Sequence, residues 1–197
     1  QSRIDRLDDR RRLVLQCGSV LGRRFAYQIV ELFDMIREGL LARLYSLKAL
    51  EYLDDLVLPE HLEFLFRHDL TREVAYQSLL ERRRVEFHRL IAERIEEQFS
   101  QSLDDFLPIL AFHYSRSDRD EKAIEFLQRA GNRALALTAV HEAKEYFEEA
   151  LVRLARSEPT RETRLRQIAI LVAKARLHRF QGDQPSANRA IQTALPI

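Results

Sequence analysis

The lysines and glycines of the chain do not form a phosphate-binding loop. Such a loop needs a Gly-Lys-Ser/Thr run, because its backbone N–H groups, its lysine and its hydroxyl act together on phosphate and Mg²⁺. The four lysines, Lys48, Lys122, Lys144 and Lys174, each follow a residue other than glycine and precede Ala or Glu. A Gly-x-Gly turn for a dinucleotide is also missing from the sequence. The chain therefore has no P-loop of its own.

Carboxylates occur as adjacent pairs at Asp8-Asp9, Asp54-Asp55 and Asp104-Asp105. Neighbouring residues on a helix do not face one another, so we interpret these pairs as surface or helix-end charges and not as acid–base or metal sites. The run Asp118-Arg-Asp-Glu lacks the glycine and the later bidentate glutamate of a calcium loop. A turn followed by an N-cap at Asp120 explains it.

The histidines and the single cysteine also give no metal or catalytic set. His61, His113, His141 and His178 lie far apart without an HExxH pairing, so we predict packing or surface roles for them. Cys17 is the only cysteine, which excludes an internal disulfide and a multi-cysteine zinc site. We therefore predict no catalytic residue and no metal ligand, and we expect the chain not to be an enzyme by itself.

The stretch Leu62 to Leu80 changes its pattern at two polar residues. Apolar residues alternate up to Phe66, as in a strand, and from Leu70 onward they recur at helical spacing. The change falls on His68 and Asp69. Asp69 is the predicted N-cap, because its carboxylate can accept from free backbone N–H groups and lies at the positive end of the helix dipole. The sequence predicts a strand, a sharp corner and a helix.

The elements before this corner are predicted to be three helices and a short extended piece. The helices are expected at Ile4 to Cys17, closed by Gly18 and Gly22, at Phe25 to Phe33, and at about Ile36 to Leu53. Pro59 biases the residue before it away from helix, so Val57-Leu58-Pro59 is expected to be extended. Three helices followed by a small β hairpin is the order of a winged-helix domain.

The part after the corner is predicted to be helical throughout. Two helices are expected at Leu70 to Leu80 and Arg82 to Phe99, and the polar run Ser100 to Asp105 marks a domain boundary. Further helices are predicted at about 105–116, 120–138, 140–156, 162–181 and 185–195, the last segment being cut at Ile197. Because the chain begins at Gln1 without a methionine, we expect it to be a piece of a longer protein.

A repeat runs through the C-terminal helices. Leu127, Ala130, Gly131 and Ala134, followed by Ala143, Phe147 and Ala150, fall at the small and large packing positions of a tetratricopeptide (TPR) repeat. Ala187, Ile191 and Ala194 repeat the last three positions 44 residues later. The predicted fold is therefore mainly α, with a winged-helix-like domain over residues 1–100 and a TPR-like repeat domain over residues 101–197.

Composition and charge set the broad class. With 32 basic and 31 acidic residues the net charge is +1, which gives no argument for nucleic acid or a membrane surface. No apolar run approaches the roughly 20 residues that a membrane span needs. The start has no signal-peptide pattern, so the cytoplasm is the expected location and no membrane partner is expected.

Two segments resemble a known family. The block Phe66-Arg-His-Asp-Leu-Thr-Arg-Glu-Val-Ala-Tyr76, continued by Glu81-Arg-Arg-Arg84 and His88-Arg-Leu-Ile-Ala92, resembles the region after the ATPase core in bacterial STAND-type signal-transduction NTPases. The opening, with Ile4-Asp-Arg-Leu7 and Gly18-Ser-Val-Leu-Gly-Arg-Arg-Phe25, looks like the start of their winged-helix segment. Many such proteins carry a class III adenylate or guanylate cyclase domain, and others a kinase or a DNA-binding output domain.

The resemblance implies a role for the corner and for the repeats. In the STAND class a His-Asp pair at this corner contacts the phosphate of bound ADP, so the nucleotide-sensing residues would be His68, Asp69 and Arg67. ATP or ADP with Mg²⁺ would be bound by the NTPase domain of the same protein, outside this chain, and the chain itself would hold no cofactor. The repeats would bind a protein partner or effector through one helix face, with Glu125, Gln128 and Asn132 as candidates.

DNA binding is the alternative, as a winged-helix regulator with an oligomerising repeat domain. The run Arg82-Arg83-Arg84 is the best electropositive candidate. Against it, residues 1–100 hold 17 Lys/Arg and 18 Asp/Glu, and the predicted reading helix region contains Glu38, Glu51, Asp54 and Asp55. A groove reader normally has a basic face, so nucleic acid is not the expected partner.

Overall fold

The chain is mainly helical and carries one small sheet. The structure is a computed structural model that describes residues 3–59 and 61–195. Over these ranges a three-stranded antiparallel sheet accompanies the helices. The chain forms two compact units, residues 1–98 and 99–197. No helix in the described ranges is long and apolar enough to cross a membrane.

The first unit begins with a 3-10 turn, Arg3–Arg6, and then alternates helices with three strands. Its elements, in chain order, are α1 (Asp9–Leu21), β1 (Arg24–Ala26), α2 (Tyr27–Val30), α3 (Asp34–Arg37), α4 (Leu40–Ala49), β2 (Leu53–Val57), β3 (Leu62–Phe66), α5 (Asp69–Gln77) and α6 (Glu81–Gln98). Asp8 caps α1, because its carboxylate accepts from the N–H of Arg11 at 2.9 Å.

The predicted hairpin is present as β2 and β3, and β1 adds a third strand to it. The strand order is β1-β3-β2, so β3 lies in the middle, with Phe64 opposite Phe25 on one side and Asp55 on the other. Phe64 and Phe66 are fully buried, and the ring of Phe25 lies 6.3 and 5.9 Å from theirs, centroid to centroid. The alternation read from the sequence therefore correctly gives the buried face of β3.

Two of the predicted helices of this unit are wrong in detail. The segment predicted as a helix from Phe25 to Phe33 is the strand β1 followed by the single turn α2. The predicted third helix is divided into α3 and α4, because Gly39 has a φ of 64° and interrupts the helical backbone. Gly22 is the C-cap of the first helix, as predicted, whereas Gly18 does not end this helix, which continues to Leu21. Gly18 lies inside α1, where a Cβ would come within 2.8 Å of the Phe25 ring.

The second unit is helical over its described residues. It contains a 3-10 turn, Leu103–Phe106, followed by α7 (Leu107–Tyr114), α8 (Asp120–Ala136), α9 (Val140–Leu154), α10 (Arg161–Phe180) and α11 (Gln184–Ala194). These bounds agree with the predicted helices to within a few residues, because the apolar spacing in this part is regular. The predicted cut of the last segment at Ile197 lies outside the described residues.

The turns of α8–α9 and α10–α11 repeat the same backbone hydrogen bonds 44 residues apart. The N–H of Ala139 donates to the carbonyl of Ala134 at 2.9 Å, and the N–H of Asp183 donates to that of His178 at 2.9 Å. The residue before each donor is left-handed, with a φ of 59° at Thr138 and 76° at Gly182. The two helical hairpins therefore share one turn geometry with different residues in it.

Small residues let α8 and α9 approach closely. Ala130, Gly131, Ala143 and Ala150 are buried along this contact, and the ring of Phe147 is fully buried. A Cβ on Gly131 would lie 2.5 Å from Cε1 of Phe147, so the ring occupies the space that a side chain would need. The packing is a large residue fitted against a small one, as the sequence pattern predicts.

The predicted N-cap of α8 is wrong by one residue. Arg119 is the residue that precedes the helix, and Asp120 is its first residue. The carboxylate of Asp120 accepts from Nη1 of Arg153 at 2.5 Å, which links the start of α8 to the end of α9. A side chain 33 positions away thus decides the direction of this carboxylate, and the local sequence does not contain that information.

Candidate functional site

The corner between β3 and α5 is fixed by backbone hydrogen bonds to two other segments. The N–H of Phe66 donates to the carbonyl of Arg23 at 2.9 Å, and the N–H of Arg67 donates to that of Tyr52 at 3.1 Å. Because the strand end is bonded on both sides, the residues that follow it leave the sheet at a defined position.

His68 is the first residue past this fixed point and is the N-cap residue of α5. Its backbone is extended, with φ −132° and ψ 134°, and its carbonyl accepts from the N–H groups of Thr71 and Arg72 at 3.0 and 3.4 Å. Its imidazole is exposed and forms no hydrogen bond or ion pair with any described residue. The ring is therefore free to bind an external group.

The predicted cap at Asp69 is wrong. Asp69 is the first residue of α5, and no described side chain accepts from the N–H groups at that end of the helix. Its carboxylate instead pairs with the guanidinium of Arg23, with Oδ1 3.2 Å from Nε and Oδ2 3.3 Å from Nη1. Both side chains are about three-fifths exposed, so the pair contributes little stability and serves to hold two charges beside the corner.

Arg67, the third predicted sensing residue, has carboxylate partners of its own. Its guanidinium lies 2.8 Å from a carboxylate oxygen of Glu51 and 4.0 Å from one of Asp54. The sequence thus identified a corner at which His68 is free while Arg67 and Asp69 are paired. Arg23 was missed as a site residue, because its pairing with Asp69 depends on the contact of β1 with β3, which has no signal in the local sequence.

The predicted partner-binding residues lie along α8. Glu125, Gln128 and Asn132 follow one another at spacings of three and four residues, which places them on one helix face. Asn132 is exposed and Gln128 is partly exposed. Glu125 is partly exposed and lies 3.7 Å from Arg129 and 3.8 Å from Lys122.

Glu125 also lines a cleft of about 460 Å³ between the start of α8, the α9–α10 loop and the start of α10. Ile124 and Leu154 contribute apolar side chains to it, and Arg156 and Glu158 contribute charged ones. Gln128 and Asn132 do not line this cleft. The structure therefore brings one of the three predicted residues into a concave site and leaves the other two on the open face of α8.

The arginine run at the start of α6 is largely occupied within the first unit. Arg83 pairs with Glu86 at 3.0 Å, and Nε of Arg84 donates to the carbonyl of Leu79 at 3.0 Å. The guanidinium of Arg84 also lies over the ring of Tyr76, 4.9 Å from its centroid. The contacts of Arg84 join α6 to α5 and the residues after it, and the Arg83 pair lies within α6, so both arginines have partners inside the first unit.

Four of the other histidines were predicted to have packing or surface roles. His113 is buried, and His61 contacts Glu63 at 3.0 Å. His141 is exposed and lies 3.3 Å from Glu145, while His178 lies 3.7 Å from Asp183. Within residues 3–59 and 61–195, no three His, Cys, Asp or Glu side chains are grouped so that they could hold a metal ion.

No family model, no curated protein and no solved structure matches the chain. Its function therefore has to be inferred from its own residues and contacts.

Proposed function

We propose that the chain is the non-catalytic regulatory arm of an ATP-dependent, STAND-type signalling protein. In this proposal residues 1–100 form a winged-helix domain that senses a nucleotide held by an NTPase domain of the same protein. Residues 101–197 form TPR-like repeats that bind a protein partner or effector. This arm would control the output domain of the protein, for example a class III adenylate or guanylate cyclase domain.

The free imidazole of His68 is the observation that carries the proposal. It stands at the end of a strand whose position is fixed, beside the N-terminus of α5, where no described side chain accepts from the first N–H groups. A phosphate oxygen at this point can accept from the imidazole and from those N–H groups, and the helix dipole favours its charge. Arg23 balances the charge of Asp69, so the carboxylate opposes an incoming anion less than it would alone.

The winged-helix part of the proposal is supported by the order of elements in the first unit. Helices α1 to α4 precede the β2–β3 hairpin, and β1 joins the same sheet. The repeat part is supported by the two helical hairpins whose turns have matching hydrogen bonds, and by the fit of Gly131 against Phe147.

The contacts of α4 favour this proposal over DNA binding. In a DNA-binding winged helix the helix before the hairpin would read the groove and needs cations that are free to reach phosphate or base. Here Arg43 donates to the carbonyl of Glu38, and Lys48 is paired with Asp55. The exposed side of α4 carries Leu41 and Tyr45, which suits contact with protein better than contact with DNA.

The test is His68→Ala in the full-length protein that contains the NTPase domain. A hydrogen bond to a charged group is worth about 1.5–3 kcal/mol, so we expect ADP affinity to fall by about 10- to 150-fold and the signalling output to rise. The matched control is His141→Ala, which removes another exposed imidazole from the second unit and is expected to change neither quantity.

Unchanged ADP retention and unchanged output in His68→Ala would remove His68 from the mechanism. A mobility-shift experiment at low salt with the chain itself tests the alternative, since electrostatic DNA binding is strongest there. A clear shift that is lost on adding salt would contradict the proposal.

A further inference from the structure

The outward face of α10 carries apolar side chains that are not covered by the described chain. Leu165, Val172 and Phe180 are 57%, 40% and 63% exposed, and Ala169 is also exposed. Together with Arg176 these residues follow one another at spacings of four, three, four and four, so they lie on one side of the helix. We call this side, from Leu165 to Phe180, the α10 face.

The opposite side of α10 is buried within the second unit. Ile170, Leu171 and Leu177 are buried there, and α10 packs against α9 and α11. A binding partner can therefore lie along the α10 face but cannot surround the helix. This geometry suits a second helix placed beside α10 and excludes a partner that must wrap around it.

The charges of α10 are strongly unbalanced. The helix carries six Lys or Arg residues and one acidic residue, Glu162. Glu162 pairs with Arg166 at 3.1 Å, and Lys174 pairs with Glu148 of α9 at 3.2 Å.

Four arginines of α10 have no ion-pair partner among residues 3–59 and 61–195. Three of them lie on or beside the α10 face, because Arg161 is four residues before Leu165, Arg176 is four after Val172, and Arg179 is three after Arg176. The fourth, Arg164, is exposed but lies about 120° around the helix from the middle of the α10 face, whereas Arg161 and Arg179 lie about 60° from it, at roughly 100° per residue.

We propose that the α10 face binds an acidic amphipathic helix of a partner protein. Apolar residues of that helix would cover Leu165, Val172 and Phe180, and its carboxylates would pair with the free arginines on either side. This surface lies outside the cleft that Glu125 lines. The inference names a partner for the repeats and so rests on the partner-binding part of the proposed function, but it does not depend on nucleotide sensing by His68.

Other occupants fit the α10 face less well. A symmetric contact between two copies of the chain would place a second basic helix against it, and the like charges would repel. A lipid surface offers anionic headgroups, but the three large apolar side chains are interrupted by Arg176 and give little area to insert. An acidic amphipathic helix both covers the apolar residues and pairs with the unpaired arginines.

The probe for the test is a fluorescent peptide of about 20 residues, long enough for several helical turns. It carries leucines at spacings of three and four and glutamates on both sides of the leucine stripe, and its binding to the whole chain is followed by anisotropy. A scrambled peptide of the same composition keeps the charge and removes the stripe. Three variants are compared with the unchanged chain. The first combines Arg176→Glu with Arg179→Glu, the second is Phe180→Ser, and the third, Arg164→Glu, is the control.

We expect the amphipathic peptide to bind at least roughly tenfold more weakly to the Arg176→Glu, Arg179→Glu variant and to Phe180→Ser. Binding to Arg164→Glu should stay within about twofold of the unchanged chain, since this charge lies off the face. Circular dichroism of each variant checks that the helices are retained.

Equal binding of the scrambled peptide, or equal loss in Arg164→Glu, would overturn the proposal by showing unspecific attraction between charges. Binding to phosphatidylserine vesicles but not to the peptide would assign the face to a lipid surface instead. Concentration-dependent dimers in sedimentation equilibrium that disappear in Phe180→Ser would assign it to a second copy of the chain.

Discussion

Gly131 lies directly against the ring of Phe147, and a Cβ at its position would come within 2.5 Å of Cε1. We predict that Gly131→Ala destabilises the chain by about 1–3 kcal/mol, the usual cost of overpacking a core. At an exposed helix position the same substitution would increase the free energy of unfolding, because alanine is favoured over glycine by about 1 kcal/mol. The measurement is the free energy of unfolding in urea.

The overpacking explanation predicts a rescue. Adding Phe147→Leu to Gly131→Ala makes room for the new methyl group, so the double variant should lose less stability than the two single changes together. Asn132→Ala, at the neighbouring exposed position, is the control and should change stability by no more than about 0.5 kcal/mol. Strictly additive effects of the two core changes would contradict the contact.

Thr138 and Gly182 hold equivalent left-handed positions, with φ of 59° and 76°. A β-branched residue is unfavourable in this conformation, whereas glycine adopts it readily. We therefore predict that Thr138→Gly stabilises the chain by about 0.5–1 kcal/mol and that Gly182→Thr destabilises it by about 1 kcal/mol. Thermal unfolding followed by circular dichroism measures both. A change of the same sign in the two variants would show that the turns are not equivalent.

Asp183 gives the α10–α11 hairpin a pH dependence. A hydrogen bond from the Ser186 hydroxyl, together with one from its backbone N–H, lowers the pKa of the Asp183 carboxyl below its ordinary value of 3.8, and His178 and Arg189 lower it further. Because the folded pKa is depressed, the stability that this carboxylate contributes is fully present above about pH 4 and is lost as the pH falls through the folded pKa.

Asp183→Asn tests this dependence, because asparagine can still cap α11 but cannot ionise. We expect the wild-type chain to have the higher Tm at pH 6 to 7 and the difference to shrink below about pH 4. A difference that stays constant from pH 7 to pH 3 would mean that the carboxylate charge has no role in the turn.

Cys17 is predicted to be unreactive in the folded chain. Burial raises the pKa of its thiol to about 12, although Arg83 opposes the shift. At pH 8 a thiol of this pKa is ionised to about one part in 10⁴, compared with roughly a quarter for an ordinary thiol of pKa 8.5. Labelling with a disulfide reagent should therefore be slow in buffer and rapid in urea. Rapid labelling without denaturant would show that α1 opens readily.

The helices of the second unit could be predicted from the sequence because the signals that determine them are local. The small and large positions from Leu127 to Ala150 recur at helical spacing, and Gly182 with Pro185 marks a break, so the helices and their buried sides are correct. The site residues Glu125, Gln128 and Asn132 follow from the same periodicity. The spacing cannot show that only Glu125 lines a cleft, since that depends on where the α9–α10 loop lies.

The first unit was predicted less well because distant contacts decide its details. Three residues are too few to show a strand period, and β1 forms only because β3 offers it hydrogen bonds. Leu70, the first apolar residue of the helical pattern, is 73% exposed. Asp69 turns to Arg23, 46 residues away, instead of capping its own helix. The corner itself was found because the change from strand to helix spacing is a local signal.

β2 lies at the outside of the sheet, so one row of its main-chain N–H and C=O groups has no partner strand among residues 3–59 and 61–195, an arrangement that favours strand addition from another molecule. Its five residues include the apolar Leu56 and Val57, the second of which is 74% exposed. The charges of Asp54 and Asp55 oppose such growth, as charged residues do on natural edge strands. The hydrogen bond from Lys48 lowers the pKa of Asp55, so the Lys48–Asp55 ion pair beside this edge persists further into acid than the charge of an ordinary aspartate would.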